Sequence, residues 1–221
     1  DEDAHRAALE PALEADVVVT SGGVSVGPHD LVRPTLLGLG VEEVLWGVAM
    51  RPGKPLMFGT RDATLVFGLP GNPVSSFVGA VLFVVPALLA LQGATAPGPS
   101  YERGPLAVDA RPRPSRDDFV RATLSADGHV TPLPRQESHM IVAAAEAHAL
   151  VRLRAGTEPL AAGALVDYLR LDVRPGGASF IIRRGPDGTE RPSPGIYLEG
   201  VPNERLVVTD AYAQAWLASE K

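Results

Sequence analysis

Two short apolar runs, Val17-Val18-Val19 and Leu65-Val66-Phe67, carry no polar alternation. Such runs suit strands buried on both faces of a parallel sheet. A glycine-rich turn follows each: Ser21-Gly22-Gly23-Val24-Ser25-Val26-Gly27 after the first, Gly68-Leu69-Pro70-Gly71-Asn72-Pro73 after the second. Each turn leads into a predicted helix. Asp30 is the expected N-cap of the first, over Leu31–Leu39, and Asn72 the expected cap of the second, with Pro73 at its first position. Apolar positions at Ala8, Leu9, Ala12 and Leu13 predict an earlier helix over 3–15, restricted by Pro11. Val41–Met50 and Leu56–Phe58 predict strands on either side of the stiff turn Arg51-Pro52-Gly53-Lys54-Pro55. Phe77–Leu91 is uncharged and apolar, shorter than the roughly 18 to 20 residues of a spanning helix, and Pro86 is expected to interrupt it. It reads as a buried core helix.

Beyond Gly93–Ser100, which is rich in Gly and Pro and has no periodicity, the pattern changes. Short strand-like runs, Leu106–Ala110, Phe119–Leu124, His129–Leu133, Ala149–Leu153 and Leu165–Leu171, predict a small β-barrel or sandwich. Ile141–His148 is the one helical stretch there. A second change follows Leu171. Phe180–Arg183, Gly195–Glu199 and Arg205–Thr209 read as three strands of a short antiparallel tail, with Gly185–Gly188 as a hairpin connection. The organisation predicted is a partial α/β domain over 1–95, a linker over 96–102, a β-barrel-like domain over 103–171 and a partial segment over 172–221.

The chain has 221 residues, 45% hydrophobic and 21% charged, which places it among globular proteins. Its formal net charge of −6 argues against a general nucleic-acid surface but leaves room for a local basic pocket. The absence of cysteine excludes disulfides, thiolate metal sites and cysteine nucleophiles, and fits a reducing, cytoplasmic setting. No membrane association is expected. The sequence opens on Asp1 with no leader pattern, so a processed chain or fragment is expected.

The candidate chemistry lies in the turns. In open α/β sheets ligands sit beyond the carboxyl ends of strands. Ser21, Gly22, Gly23, Ser25 and Gly27 are placed there to aim backbone N–H groups at one anion; a tight strand-to-helix connection without a ligand is the alternative. The second turn is read as the facing wall of the same cleft. Lys54 and Arg51 are candidate cations for an oxyanion, held by Pro52 and Pro55, or else solvated surface charges. Asp30 is a candidate magnesium ligand, compatible with capping. Asn72, Ser75 and Ser76 sit at a helix N-terminus suited to phosphate, or cap it. His139 and His148 do not have the spacing of a helical zinc pair, and no nucleophile elbow or Walker sequence is present.

The motifs DVVVTSGGVSVGPHD at 16–30, RPGKP at 51–55 and GLPGNPVSS at 68–76 resemble the molybdopterin molybdenumtransferase family, which includes bacterial MoeA and the E domain of gephyrin. The likeness implies an α/β fold: a partial parallel-sheet, MogA-like molybdopterin-binding domain, then the family's C-terminal β-barrel. Phe119-Val120-Arg121, Gln136-Glu137-Ser138-His139 and the Ala161-Ala162-Gly163 turn carry the match into the latter. The family's first strand and Thr-Gly-Asp-Glu loop have no counterpart, so the chain is expected to enter the domain about halfway. Arg184–Tyr212 resembles part of an AHSA1-like SRPBCC domain. The chain therefore reads as two incomplete pieces joined near Asp172.

The resemblance implies a role in molybdenum cofactor biosynthesis: insertion of molybdate into adenylylated molybdopterin, with release of AMP and a requirement for Mg²⁺. Asp30, Lys54 and Arg51 would then serve catalysis, with Asp30 as metal ligand. Ser21, Gly22, Gly23, Ser25, Gly27, Pro55, Pro70, Gly71, Asn72, Pro73, Ser75, Arg121 and Ser138 would bind substrate. A homodimer is implied. The alternatives are a non-catalytic molybdopterin-binding or protein-scaffold module, and an apolar-ligand module in the tail.

Overall fold

The computed structural model describes residues 2–27, 30–137 and 146–171, together with the backbone of tail strands at 178–184, 190–201 and 205–210. The first sheet has four strands: β1 (Val17–Ser21), β2 (Glu42–Trp46), β4 (Met57–Arg61) and β5 (Thr64–Leu69), in the order β1-β5-β4-β2. β1 and β5 run parallel, Val17 opposite Leu65 through Ser21 opposite Leu69; the other two pairings are antiparallel. The expected parallel sheet is therefore a mixed one. β1 lies at its edge, which leaves Val19 half-exposed at 48% rather than buried on both faces.

Strand alternation divides the side chains between two layers. Val18 and Val66 point to one face, where they pack with Leu9 and Leu13 from α1 (Glu2–Ala12) and its exit, and Leu36 and Leu39 from α2 (Val32–Gly38) and its exit. Phe67 and Leu69 point to the other, against Val84 and Ala87 of the third helical run. Pro11 is carried in the last turn of α1. Asp30 does not cap α2: the cap position is Leu31, with no side-chain hydrogen bond.

The third helical run corrects an expectation. α3 (Pro73–Gly79) passes through a π-helical turn, Ala80–Val84, into α4 (Val85–Leu91), and the helix is continuous over 19 residues. A proline ring clashes with the carbonyl four residues earlier, and a wider turn accommodates it; Pro86 is thus absorbed without interruption. By length and composition the helix could cross a membrane, yet Val74, Val78 and Val84 are buried in the cores. Val85, Leu88, Leu89 and Leu91 are exposed, so only its first part is a core helix.

The second sheet joins β3 (Met50–Arg51), β6 (Glu102–Pro105), β7 (Asp117–Leu124), β9 (Ala149–Leu153) and β10 (Leu165–Arg170) in the order β3-β7-β9-β10-β6, and β8 (Val130–Pro132) pairs with β7. It does not close, and the predicted barrel is overturned. Closure needs enough strands with a consistent stagger to bring the two edges together. Here β3 has two residues and β8 three. The predicted strand Leu106–Ala110 makes only isolated bridges at its two ends, Leu106 to Val130 and Ala110 to Leu160. Pro105, Pro112 and Pro114 in and around it cannot donate to a ladder.

β3 comes from the first segment of the chain but pairs in parallel with β7, Met50 opposite Asp117 and Arg51 opposite Asp118. A shared core lies behind this seam, with Met50, Val74 and Val78 packed among Phe119, Leu150, Leu169 and Leu171. The tail forms a separate three-stranded antiparallel sheet, β11 (Ala178–Arg184), β12 (Glu190–Val201) and β13 (Arg205–Asp210). The predicted helix Ile141–His148 and hairpin turn Gly185–Gly188 fall largely or wholly outside the described residues.

Candidate anion-binding cleft

Because β1 and β5 are parallel neighbours, the turns that leave them start from the same end of the sheet. They touch: a Cβ on Gly71 would stand 3.4 Å from the Gly22 Cα. The Gly22 N–H donates to the Leu69 carbonyl at 2.8 Å. The Ser76 hydroxyl donates to the Pro70 carbonyl, and Ser21 Oγ lies 3.0 Å from Ser76 Oγ. Ser76 thus ties the two turns together rather than facing a ligand.

Fewer backbone donors are available than the spacing predicts. Gly22 spends its N–H on Leu69, and Gly27 donates its own to Asp30 Oδ2 at 2.8 Å. Among the described residues, the N–H groups of Gly23, Val24, Ser25, Gly71 and Asn72 have no intrachain partner. These amides are available to an anion. Gly23 takes φ +71, and a Cβ there would come within 2.5 Å of Val32 Cγ2.

A side-chain clamp holds this turn. Trp46, at the end of β2, donates its indole N–H to the Val24 carbonyl at 2.8 Å. The Arg33 backbone N–H donates to the Gly23 carbonyl at 3.2 Å. The Arg33 guanidinium lies 4.5 Å from the Trp46 ring and pairs with Glu43 at 2.6 Å. That bond holds the Glu43 carboxyl below its usual range and lifts the guanidinium. Nothing in the linear spacing signals the clamp; the β2–β4 register creates it.

Beside the second turn opens a cleft of about 420 Å³. Arg51, Lys54, Pro55, Pro70, Asn72 and Ser75, all candidates from the sequence, line it together with Arg116, Gln136 and Glu137. Pro73 stands behind Asn72 at the first position of α3. Asn72 occupies the cap position by its backbone, but its side chain makes no capping bond. Gly53, at φ +107, allows the close turn that presents Lys54. Ser21, Gly22, Gly23, Ser25 and Gly27 are not in this lining; their turn adjoins it through the Gly22–Gly71 contact.

The cations differ in freedom. Arg51 Nη1 lies 4.0 Å from Asp118, a buried carboxylate that Arg113 also approaches at 3.2 Å. Among the described residues, Lys54 and Arg116 have no ion-pair or side-chain hydrogen-bond partner. Arg116 escaped notice because one arginine in a polar, proline-rich stretch carries no pattern. Arg121 is placed behind the cleft wall, 1% exposed. Its guanidinium donates to the carbonyls of Arg135 and Glu137 at 2.9 and 3.2 Å. Gln136 clasps its backbone from both sides, accepting from the Arg121 N–H and donating to the Arg121 carbonyl. Burial lowers the Arg121 pKa, opposed by the Glu137 charge. Ser138 lies outside the described residues.

Among the described residues, Asp30 stands without a second protein ligand for magnesium. No group of three His, Cys, Asp or Glu side chains converges among them, and one Asp30 oxygen is engaged by the Gly27 N–H.

The structure thus presents an α/β unit whose paired turns adjoin a cationic cleft, seamed to a second sheet. Residues 1–90 match the family described as "Probable molybdopterin binding domain", and residues 103–171 match "MoeA C-terminal region (domain IV)". The chain belongs, over these residues, to the MoeA family of molybdopterin-binding proteins. The molybdopterin molybdenumtransferase of Staphylococcus aureus is 36% identical over 165 residues, covering 73% of this chain and 39% of that protein. That of Staphylococcus epidermidis is 35% identical over 159 residues, covering 71% and 38%. The chain thus spans about two fifths of the length of these relatives. The MoeA structure from Pyrococcus horikoshii superposes with a TM-score of 0.64 at 30% identity, covering 77% of this chain and 41% of that one. A molybdenum cofactor biosynthesis protein from Pyrococcus furiosus gives 0.61 at 27%, covering 77% and 55%. Residues 160–220 match "Activator of Hsp90 ATPase homolog 1-like protein", overlapping the end of the MoeA region.

Proposed function

We propose that the cleft and the adjoining turns bind a phosphate-bearing pterin, adenylylated molybdopterin, and a molybdate oxyanion, in the step that inserts molybdenum and releases AMP. The contact between Gly22 and Gly71 carries this reading, because it makes the two sets of free amides one surface beside Lys54. Gly23, Val24, Ser25, Gly71 and Asn72 supply N–H donors that hold phosphate without a side chain's loss of freedom. Lys54 supplies a point charge, and the Asn72 amide and Ser75 hydroxyl orient what it attracts. Arg51 lines the cleft with its guanidinium 4.0 Å from Asp118. Asp30 braces its turn through Gly27, and no step is assigned to a metal on it. The setting is cytoplasmic, and the working unit is a homodimer, as the family resemblance implies.

Molybdate-dependent AMP release from adenylylated molybdopterin, measured on the full chain, tests the catalytic reading. Release above background that is lost in K54Q supports it. Saturable binding of molybdopterin without release favours a binding module. Neither binding nor release by a folded sample removes both.

A further inference from the structure

Four segments far apart in sequence converge on the cleft, and its charge is unusual for this protein. Three cations, Arg51, Lys54 and Arg116, face one carboxylate, Glu137, in a chain whose formal net charge is −6. A local excess of positive charge in an acidic protein focuses attraction on that point. The three cations are not equivalent. Arg51 is drawn toward buried Asp118, and its charge is in part cancelled there.

Arg116 arrives by a different route. It stands one residue before β7, where the parallel β3–β7 register sets it level with Ala49, and it lines the cleft together with Lys54. The Asp117 N–H donates to the Ala49 carbonyl at 3.0 Å and closes the seam at that point. The neighbouring acids are already engaged. Asp117 pairs with Arg152 at 2.6 Å and accepts from the Ala155 N–H at 2.8 Å; Asp118 is shared by Arg113 and Arg51. A half-buried guanidinium has therefore been brought to a cleft wall with Asp117 and Asp118 engaged elsewhere, leaving Glu137 as the carboxylate that shares the lining. Its packing role is slight, since no hydrogen bond or ion pair anchors it among the described residues.

We infer that Arg116 is an anion-binding residue of this cleft: with Lys54 it grips one tetrahedral dianion from the side of the second sheet, and Arg51 does not. The inference rests on the reading of the cleft given above. Two N–H groups of a guanidinium fork match two oxygens of a tetrahedral oxyanion, and the ammonium meets a third as a compact charge. The occupied cleft then bridges the two sheets.

The test titrates the full chain by calorimetry with sodium molybdate and, separately, with inorganic phosphate. The two arms distinguish a site for the free metal oxyanion from one for a substrate phosphate. R116Q and K54Q each weaken the bound anion by about tenfold, the scale of one charge-assisted contact. R51Q weakens it by less than about threefold, since only a screened charge is lost. R116K, which keeps the charge and loses the fork, recovers part of the affinity. The urea midpoint of R116Q stays at the wild-type value, which separates a binding role from a structural one. Wild-type affinity in R116Q, a loss in R51Q equal to that in R116Q, or a binding loss that tracks a fall in stability overturns the assignment while leaving the cleft in place. No saturable binding of either anion to the wild-type chain overturns the reading of the cleft itself.

Discussion

Replacing Gly23 by alanine separates two costs that the structure places on one residue. Gly23 adopts φ +71, and an added Cβ would meet Val32 Cγ2 at 2.5 Å and Val32 Cβ at 2.9 Å. The left-handed backbone costs an L-residue about 1 to 2 kcal/mol. The clash adds about 1 to 3 kcal/mol, because Val32 is β-branched and opens α2, where χ1 has little room to turn. G23A should therefore lose roughly 2 to 5 kcal/mol of stability. Gly22 is the internal control: its φ is +93, but the only atom near an added Cβ is Gly71 Cα at 3.7 Å. G22A should lose only the backbone cost, about 1 to 2 kcal/mol. Urea unfolding followed by far-UV circular dichroism measures both. The steric share carried by Cγ2, the nearest atom, is isolated in a double-mutant cycle with V32A, which removes Cγ2 and keeps Cβ. G23A/V32A should be more stable than the sum of the single changes by about 1 kcal/mol or more. Additivity within about 0.5 kcal/mol, or equal losses in G22A and G23A, would refute the idea that Val32 dictates glycine at this position.

Three further outcomes follow from contacts elsewhere. W46F removes the indole bond to the Val24 carbonyl and should cost about 1 kcal/mol; hydrogen exchange at Gly23 and Ser25 should quicken, whereas distant β9 amides should not change. R121A leaves the Arg135 and Glu137 carbonyls without their donor in a buried site, so a urea titration should show a loss of about 3 kcal/mol or more, unlike R116Q. Glu102, held by Arg170 and Tyr168, has its pKa pulled down from 4.5 to about 2. A carboxylate lowered in this way contributes stability above pH 4.5 that is lost as pH falls through 2. E102Q should flatten that part of the acid limb by less than about 1 kcal/mol, since the pair is 44% exposed on both sides.

The sequence is most legible where chemistry is local. Val17–Val19 and Leu65–Phe67 become β1 and β5, and the turns after them meet as expected, because β-branched runs and clustered glycine express short-range preferences. The Lys54 turn is legible too, since Pro52 and Pro55 fix their own φ and Gly53 permits the left-handed backbone whatever surrounds them. Donor identity is less so. Gly22 and Gly27 look like free amides in the sequence but are consumed by Leu69 and Asp30. The expected barrel fails for a similar reason: alternation predicts strands, while closure depends on how short β3 and β8 are and on the prolines beside Leu106.

What the amino-acid order alone determined is thus the pair of glycine turns, the cationic turn at 51–55, and the acidic overall charge against which a basic pocket stands out. Tertiary structure decided which of those groups are available. The parallel β3–β7 seam carries Arg116 to the cleft and draws Arg51 toward Asp118. The β2 register sets Trp46 against Val24. Burial turns the Arg121 guanidinium to the Arg135 and Glu137 carbonyls. The physical reason is range: backbone preference acts over a few neighbouring residues, whereas a charge is freed or neutralised by whatever partner the fold brings within about 4 Å, however distant in sequence.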